Sequence, residues 1–260
     1  MRTFLIISIF MISLSDHLGI SQPTVYKPGE SIRYVMNYGI ITAGEATLEL
    51  KEAKYDGKTV WHSKLTGKTV GMADALFKVL DIYESYMDPA TGLPVFTIRN
   101  INEGRYKRYN EVIFDHETRG DSTIITSDLT GVHIAPKRIL DIVSCFYHFR
   151  ENILHVKKES LKTGDVITMT TWFTDELYPI VLKYVKTEEI KTKTGKIQCY
   201  KFNLVTEKGR LFKNEEAVSI WFSADQNYLP VKIRFDIFVG AFVVEMTSYK
   251  GTVFPLEIRK

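Results

Sequence analysis

The sequence predicts a mainly β fold, a large curved antiparallel sheet in the form of an open or half barrel, carrying two short helices. Three observations predict it. Apolar and polar residues alternate along many segments, as at Ile32, Tyr34, Met36 and Tyr38 against Arg33 and Asn37. Short Gly-, Asp- and Asn-containing turns separate these segments, which favours antiparallel neighbours over parallel crossovers. Helical spacing appears in only two places.

Along the chain, Tyr26-Lys27-Pro28-Gly29-Glu30 reads as a turn into the first strand, and Ala46, Leu48 and Leu50 mark the second. Asp56-Gly57 supplies the positive dihedrals of a tight hairpin, and Thr59 to Thr69 returns as the third. Met72, Leu76, Val79, Leu80 and Tyr83 recur at helical steps, so a short helix is expected between Gly71 and Tyr83. Strands resume at Tyr83 to Met87, Leu93 to Ile101, Arg105 to Phe114 and around Thr123 to Thr126. The second helix is expected from Pro136, with Ile139, Ile142, Val143, Phe146 and Phe149 as its apolar stripe, ending near Glu151-Asn152. Further strands follow near Val166 to Phe173, Pro179 to Ile190, Ile197 to Val205, Ala217 to Ser223, Tyr228 to Val239 and Ala241 to Tyr249. Leu93-Pro94-Val95 followed by Arg99 is echoed by Leu229-Pro230-Val231 followed by Arg234, which leaves two readings: related halves, or a common way to begin a strand.

Residues 1–21 have the layout of a cleavable secretory signal, with Arg2, an apolar run from Phe4 to Leu14, and Gly19 and Ser21 before a cut at Gln22. The run is short for a bilayer-spanning helix, so a single β-rich domain over 22–260, periplasmic or secreted and without a transmembrane anchor, is the expectation. A buried N-terminal strand or helix is the alternative. An oxidising compartment permits Cys145 and Cys199 to pair, while their apolar neighbours favour two separate buried thiols.

The 34 Lys+Arg against 31 Asp+Glu leave a net charge of +3, too small and too evenly spread for nucleic acid as the partner. His62, His116, His133, His148 and His155 are scattered, with no metal-ligand spacing, and no nucleophile elbow or phosphate loop occurs. No catalytic residue, metal or cofactor is therefore assigned. The cluster Arg99, Arg105, Lys107 and Arg108, interleaved with Tyr106 and Tyr109, fits an anionic headgroup or a solvated strand face; Glu103 and Glu111 nearby favour the latter.

Adjacent bulky residues at Trp172-Phe173, Ile220-Trp221-Phe222, Ile237-Phe238-Val239 and Phe242-Val243-Val244 place apolar side chains on both faces of the sheet. Either the helices and the curl of the sheet cover both faces, or a concave face stays open as a cleft for a lipid or other apolar ligand. Tyr83, Phe146, Trp172 and Trp221 are the candidate lining residues.

Four stretches together resemble a family of exported proteins of Gram-negative bacteria, a domain of unknown function. They are Pro28-Gly29-Glu30 with Tyr34 and Ala43-Gly44; Asp81 to Leu93-Pro94; Asp141-Ile142-Val143-Ser144-Cys145-Phe146-Tyr147 with Arg150; and Trp221 to Leu229-Pro230-Val231. The Leu-Pro-Val strand starts are also similar to those of periplasmic lipoprotein carriers and related envelope-stress sensors. That resemblance implies an open half-barrel with helices at its mouth, and carries no residue role across. It implies a ligand-binding fold, and together with the two-sided apolar strands it leads to the expectation of a periplasmic carrier of an apolar ligand, the alternatives being an envelope interaction protein with a protein partner, or a hydrolase.

Overall fold

The computed structural model describes residues 25–205 and 216–259, so the proposed signal segment lies outside the described residues. Fourteen strands form one sheet, and every pairing is antiparallel. The first eight are β1 (Ser31–Tyr38), β2 (Ile41–Tyr55), β3 (Lys58–Thr69), β4 (Leu80–Met87), β5 (Pro94–Glu103), β6 (Tyr106–Asp115), β7 (Ser122–Ser127) and β8 (Gly131–Pro136). The second group is β9 (Val166–Phe173), β10 (Glu176–Thr192), β11 (Gly195–Leu204), β12 (Val218–Ser223), β13 (Pro230–Asp236) and β14 (Ala241–Lys250). Each group is a meander in which sequence neighbours pair, and the two are joined where β1 pairs with β14. Short turns dictate this order, because a few residues can only return the chain beside the strand it has just left.

The Leu-Pro-Val echo has a structural counterpart. Pro94 begins β5 and Pro230 begins β13; the preceding Leu93 and Leu229 are buried, and their carbonyls accept from Asp88 N and Ser223 N at 2.9 and 2.8 Å. Asp88 and Asp225 each accept backbone N–H groups within the turn. The ladder shifts register at Tyr86/Met87 in one hairpin and at Trp221/Phe222 in the other. Proline lacks a ladder donor, so a bulge at the strand start accommodates it in both places.

Several expectations are corrected. The first helix, α1, covers only Gly71–Leu76; Leu80 already belongs to β4, and Met72 and Leu76 face solvent instead of a core. The second helix does not start at Pro136, which closes β8. Arg138 has φ of 61°, and Leu140 forms a parallel bridge to Thr171 of β9, with Trp172 N donating to Leu140 O at 2.7 Å. The helical run begins at α2 (Ser144–His148), continues as a π-helix over Phe149–Leu154, and ends with α3 (His155–Lys157) and a 3-10 turn at Lys158–Ser160. The Asp141 carboxylate accepts from Val143 N and Ser144 N while Ser144 Oγ accepts from Asp141 N, a reciprocal cap that fixes this start. Ile237-Phe238-Val239 is not strand: it makes the β13–β14 turn, with Phe238 and Val239 exposed.

This helical run plugs the concave face. Phe149 lies against Phe202 and Phe222 with centroids at 5.2 and 4.8 Å, Leu154 is fully buried, and Tyr147 Oη shares a hydrogen bond of 3.0 Å with Ser63 Oγ. At its centre Arg150, 1% exposed, binds Glu30 through two nitrogens at 2.6 and 2.8 Å. Its Nε donates to Asn227 O and its Nη2 also to Val25 O. Tyr26 and Tyr147 flank the guanidinium with their rings, at 5.6 and 5.7 Å. Every guanidinium nitrogen is thus bonded, which is the condition for burying a charge pair at tolerable cost.

Both cysteines are free and buried. The Cys145 sulfur lies 3.7 Å from that of Met169, and burial pushes both thiols up to about 12, far from the thiolate range. No helix among the described residues is long and apolar enough to cross a membrane.

Candidate functional site

A second, smaller core sits where the sheet curls back on itself. Trp172 of β9 packs on Val112, Phe114, Ile125, Ala135 and Ile139, so β9 and the segment before the plug cover the concave face of β6 to β8. Beside this core, between β4 to β6 on one side and β9 with residues 141–143 on the other, remains a cavity of about 30 Å³. Tyr83, Arg99, Val112, Trp172, Phe173 and Asp175 line it, together with Asp141 and its neighbours.

Register explains which side chains meet there. Tyr83 pairs with Arg99, and Arg99 with Asn110, so all three project from one face of adjacent strands. Arg108, two residues before Asn110, shares that face and reaches Asp175 at 3.0 Å. The Arg99 guanidinium lies over the Phe173 ring, 5.1 Å from its centroid, and Phe173 is 6.4 Å from the ring of Tyr83. The turn from β9 to β10 delivers Asp175: Thr174 and Asp175 have φ of 55° and 64°, successive left-handed residues of the kind a two-residue hairpin demands. Such turns favour Asn-Gly, and a β-branched threonine there costs energy, so the turn carries strain at the cavity wall.

The electrostatics of this spot differ from those of the rest of the interior. Among the described residues six buried side-chain polar atoms lack a hydrogen-bond partner. Five of them belong to four residues here: Arg99 Nε and Nη1, Arg108 Nε, Trp172 Nε1 and Asp175 Oδ1. Trp172 is 7% exposed and the Asp175 side chain 4%. Burial raises the Tyr83 hydroxyl above its ordinary value, and the adjacent Arg99 charge opposes that rise. Burial also raises Asp141, against hydrogen bonds from Ser85, Ser144 and Val143. The other acid of the lining, Glu84, is taken by His62 and Lys64 at 2.6 and 3.5 Å.

Of the four residues expected to line a cleft, Tyr83 and Trp172 meet at this cavity. Phe146 is half-buried on α2 and is not among the cavity's lining, and Trp221 lies on the opposite face of β12 from the plug-packed Phe222, between Lys201 and Lys232, with its Nε1 donating to Glu188 at 3.0 Å. The basic cluster also divides. Arg105 and Lys107 are exposed, Arg99 and Arg108 face the interior, and Glu111 accepts from Tyr109 instead of screening an arginine. Arg99, Arg108 and Asp175 are what the expected lining set missed; the available signal was strand alternation, which places Arg108 and Asn110 on one face. A larger depression of about 430 Å³ over β1, β2, β3 and β14 has no orphaned polar atom in its lining, and its Lys68 and Glu45 pair at 3.5 Å, as expected of a solvated furrow.

Comparison with known proteins bears on the fold. The model of a family described as "Protein of unknown function (DUF3108)" matches residues 33–247. A β-barrel-like protein of the domain of unknown function DUF1849 from Brucella abortus is similar at 10% identity with a TM-score of 0.57, covering 87% of this chain and 98% of that one. A protein with a YmcC-like fold from Bacteroides fragilis aligns at 10% identity over 88% of this chain and 99% of its own, with a TM-score of 0.39, too low to carry an argument. A search of curated proteins finds no match. The first likeness supports a barrel-like sheet and nothing about ligand or activity.

Proposed function

Because the chain belongs to the DUF3108 family, whose function is unknown, its own geometry has to supply the reading, and we propose that it is an exported, non-catalytic binding protein of the cell envelope that holds a small ligand between β4 to β6 and β9. One observation carries this: among the described residues, four of the six orphaned buried side-chain polar atoms belong to residues that line one cavity, and a fifth, Arg108 Nε, belongs to the ion-pair partner of the lining residue Asp175. Each unmade hydrogen bond of this kind costs roughly 1–3 kcal/mol, and a folded chain tolerates several together where a bound group completes them. A lipid held along the concave face, the expectation from sequence, is not supported, because the plug and Trp172 occupy that face with side chains at or near zero exposure.

The test is a thermal-shift screen of metabolite-sized compounds, run in parallel on the wild-type protein and on Thr97→Phe, which fills the cavity from β5. A compound that raises Tm in the wild type and not in the filled variant supports the reading; an equal response of the two proteins to every compound removes it.

A second reading, an envelope interaction protein, draws on the strand ends around α1. Ile40 and Ile41 at the β1–β2 turn, Phe238 and Val239 at the β13–β14 turn, and Leu76 and Phe77 at the end of α1 are all exposed. Tyr38 Oη donates to Val239 O at 2.8 Å, and Val70 N donates to Ala43 O, so the three apolar tips are neighbours. Photocrosslinking from position 238 in intact cells tests for a protein partner.

A further inference from the structure

The unsatisfied atoms also specify the chemistry of what would satisfy them. We propose that the cavity binds the carboxylate of an organic acid, with Arg99 and Trp172 as its donors; this rests on the cavity being a ligand site. Three of the orphaned atoms in the lining are N–H donors, Arg99 Nε, Arg99 Nη1 and Trp172 Nε1, against a single orphaned acceptor, Asp175 Oδ1. Donors in excess call for an acceptor-rich ligand.

The charges agree. Arg108 and Asp175 neutralise each other at 3.0 Å, and Glu84 is engaged by His62 and Lys64. Asp141 is held toward its neutral form by burial, and its oxygens are taken by Ser85, Val143 and Ser144. Asp81 and Glu103 act on each other, and Glu103 feels the Arg99 charge without forming an ion pair with it. Arg99 interacts with the Tyr83 hydroxyl and lies over the Phe173 ring, and two of its guanidinium nitrogens, Nε and Nη1, are buried and unbonded. A guanidinium fork matches a carboxylate oxygen for oxygen, and the Phe173 ring fixes the plane of the fork.

Size narrows the class. A cavity of about 30 Å³ offers room for roughly two water-sized groups, the two oxygens of a carboxylate, since one such group needs about 10–15 Å³, and because the cavity is not enclosed the rest of the acid lies at its mouth. The remaining acceptor, Asp175 Oδ1, fits a hydroxyl or ammonium on the carbon next to that carboxylate, so 2-hydroxy and 2-amino acids suit the site better than a bare acid.

The experiment titrates isotope-labelled full-length mature protein with acetate, lactate, dodecanoate and inorganic phosphate while following the indole N–H signal of Trp172 by proton–nitrogen NMR, assigned through Trp172→Phe. Saturable displacement of that signal by a carboxylate, weakened roughly 10- to 100-fold in Arg99→Gln, is the expected result. Lactate tighter than acetate places Asp175 on the neighbouring hydroxyl; dodecanoate tighter than both identifies the acid as a fatty acid; either supports the proposal. Should Arg99→Gln not fold, binding measured by calorimetry on Trp172→Phe, expected to be weaker, takes its place. Phosphate binding as tightly as the carboxylates, or undiminished binding in Arg99→Gln, overturns the proposal. A neutral compound that binds, and is excluded by Thr97→Phe, while no acid does, overturns the carboxylate and leaves the cavity a ligand site; no binding of any kind to the wild type overturns both.

Discussion

Two arginine-centred sites share this interior, and they are built on opposite terms. At Arg150 each guanidinium nitrogen has an oxygen partner, Glu30 faces it with both carboxylate oxygens, and two tyrosine rings enclose the group. At Arg99 two nitrogens have none, and the neighbouring Trp172, Arg108 and Asp175 each leave one atom unbonded. A complete network fixes one arrangement of the chain around it, which is what a plug in a curved sheet requires. An incomplete one costs stability, and under the proposed function a bound ligand would supply the missing bonds.

The contrast can be broken most severely at the plug. Arg150→Met leaves Glu30 buried and unpaired, and urea unfolding should show a loss of about 3–5 kcal/mol, with Glu30→Met in the same chain restoring most of it. If the double variant is as unstable as the single, the remaining polar partners of Arg150, and not its charge pairing, hold the plug. Arg99→Gln, by contrast, should change unfolding free energy by less than about 1 kcal/mol, because no bond to either of its orphaned nitrogens is lost. A loss comparable to that at Arg150 would erase the distinction between the two sites.

The smallest effect sharpens the boundary between them, at Asp141. Burial raises its carboxyl above the ordinary 3.8, so the folded protein keeps a proton that the unfolded chain has already released. Stability from this group is therefore present at acid pH and is lost as pH rises from about 3.8 through the raised folded value. Asp141→Asn, which retains an acceptor for the cap, should change neutral-pH stability by less than about 1 kcal/mol and flatten that part of the profile. An unaltered slope in acid urea titrations would assign it to other groups.

The meander was legible in the sequence because its determinants are local: Asp56-Gly57, the Asp-to-Leu-Pro turns and strict alternation each act within a few residues. The repeated hairpin was legible for the same reason, since Leu93-Pro94 and Leu229-Pro230 impose the same start and the same bulge. The second helix was misplaced because Ile139 has the right spacing to join its stripe, yet packs with Trp172 in the other core, while Leu140 is held extended by Thr171. The cavity beside Trp172 was half legible. Tyr83 and Trp172 stand out as bulky aromatics, but Arg99, Arg108 and Asp175 come from three separate strands or turns, and only the curl of the sheet brings β9 over β5 and β6. Arg150 showed the limit most plainly, a charged residue whose partner lies 120 positions away.

The junction of β1 with β14 has a consequence for how the molecule comes into being. Ser31 lies opposite Lys250, so the first strand waits for the last. A chain emerging in order, from a ribosome or through a translocation pore, can zip up each meander from neighbouring hairpins but cannot weld the two until β14 has arrived. Joining of the two meanders is thereby tied to the delivery of that strand.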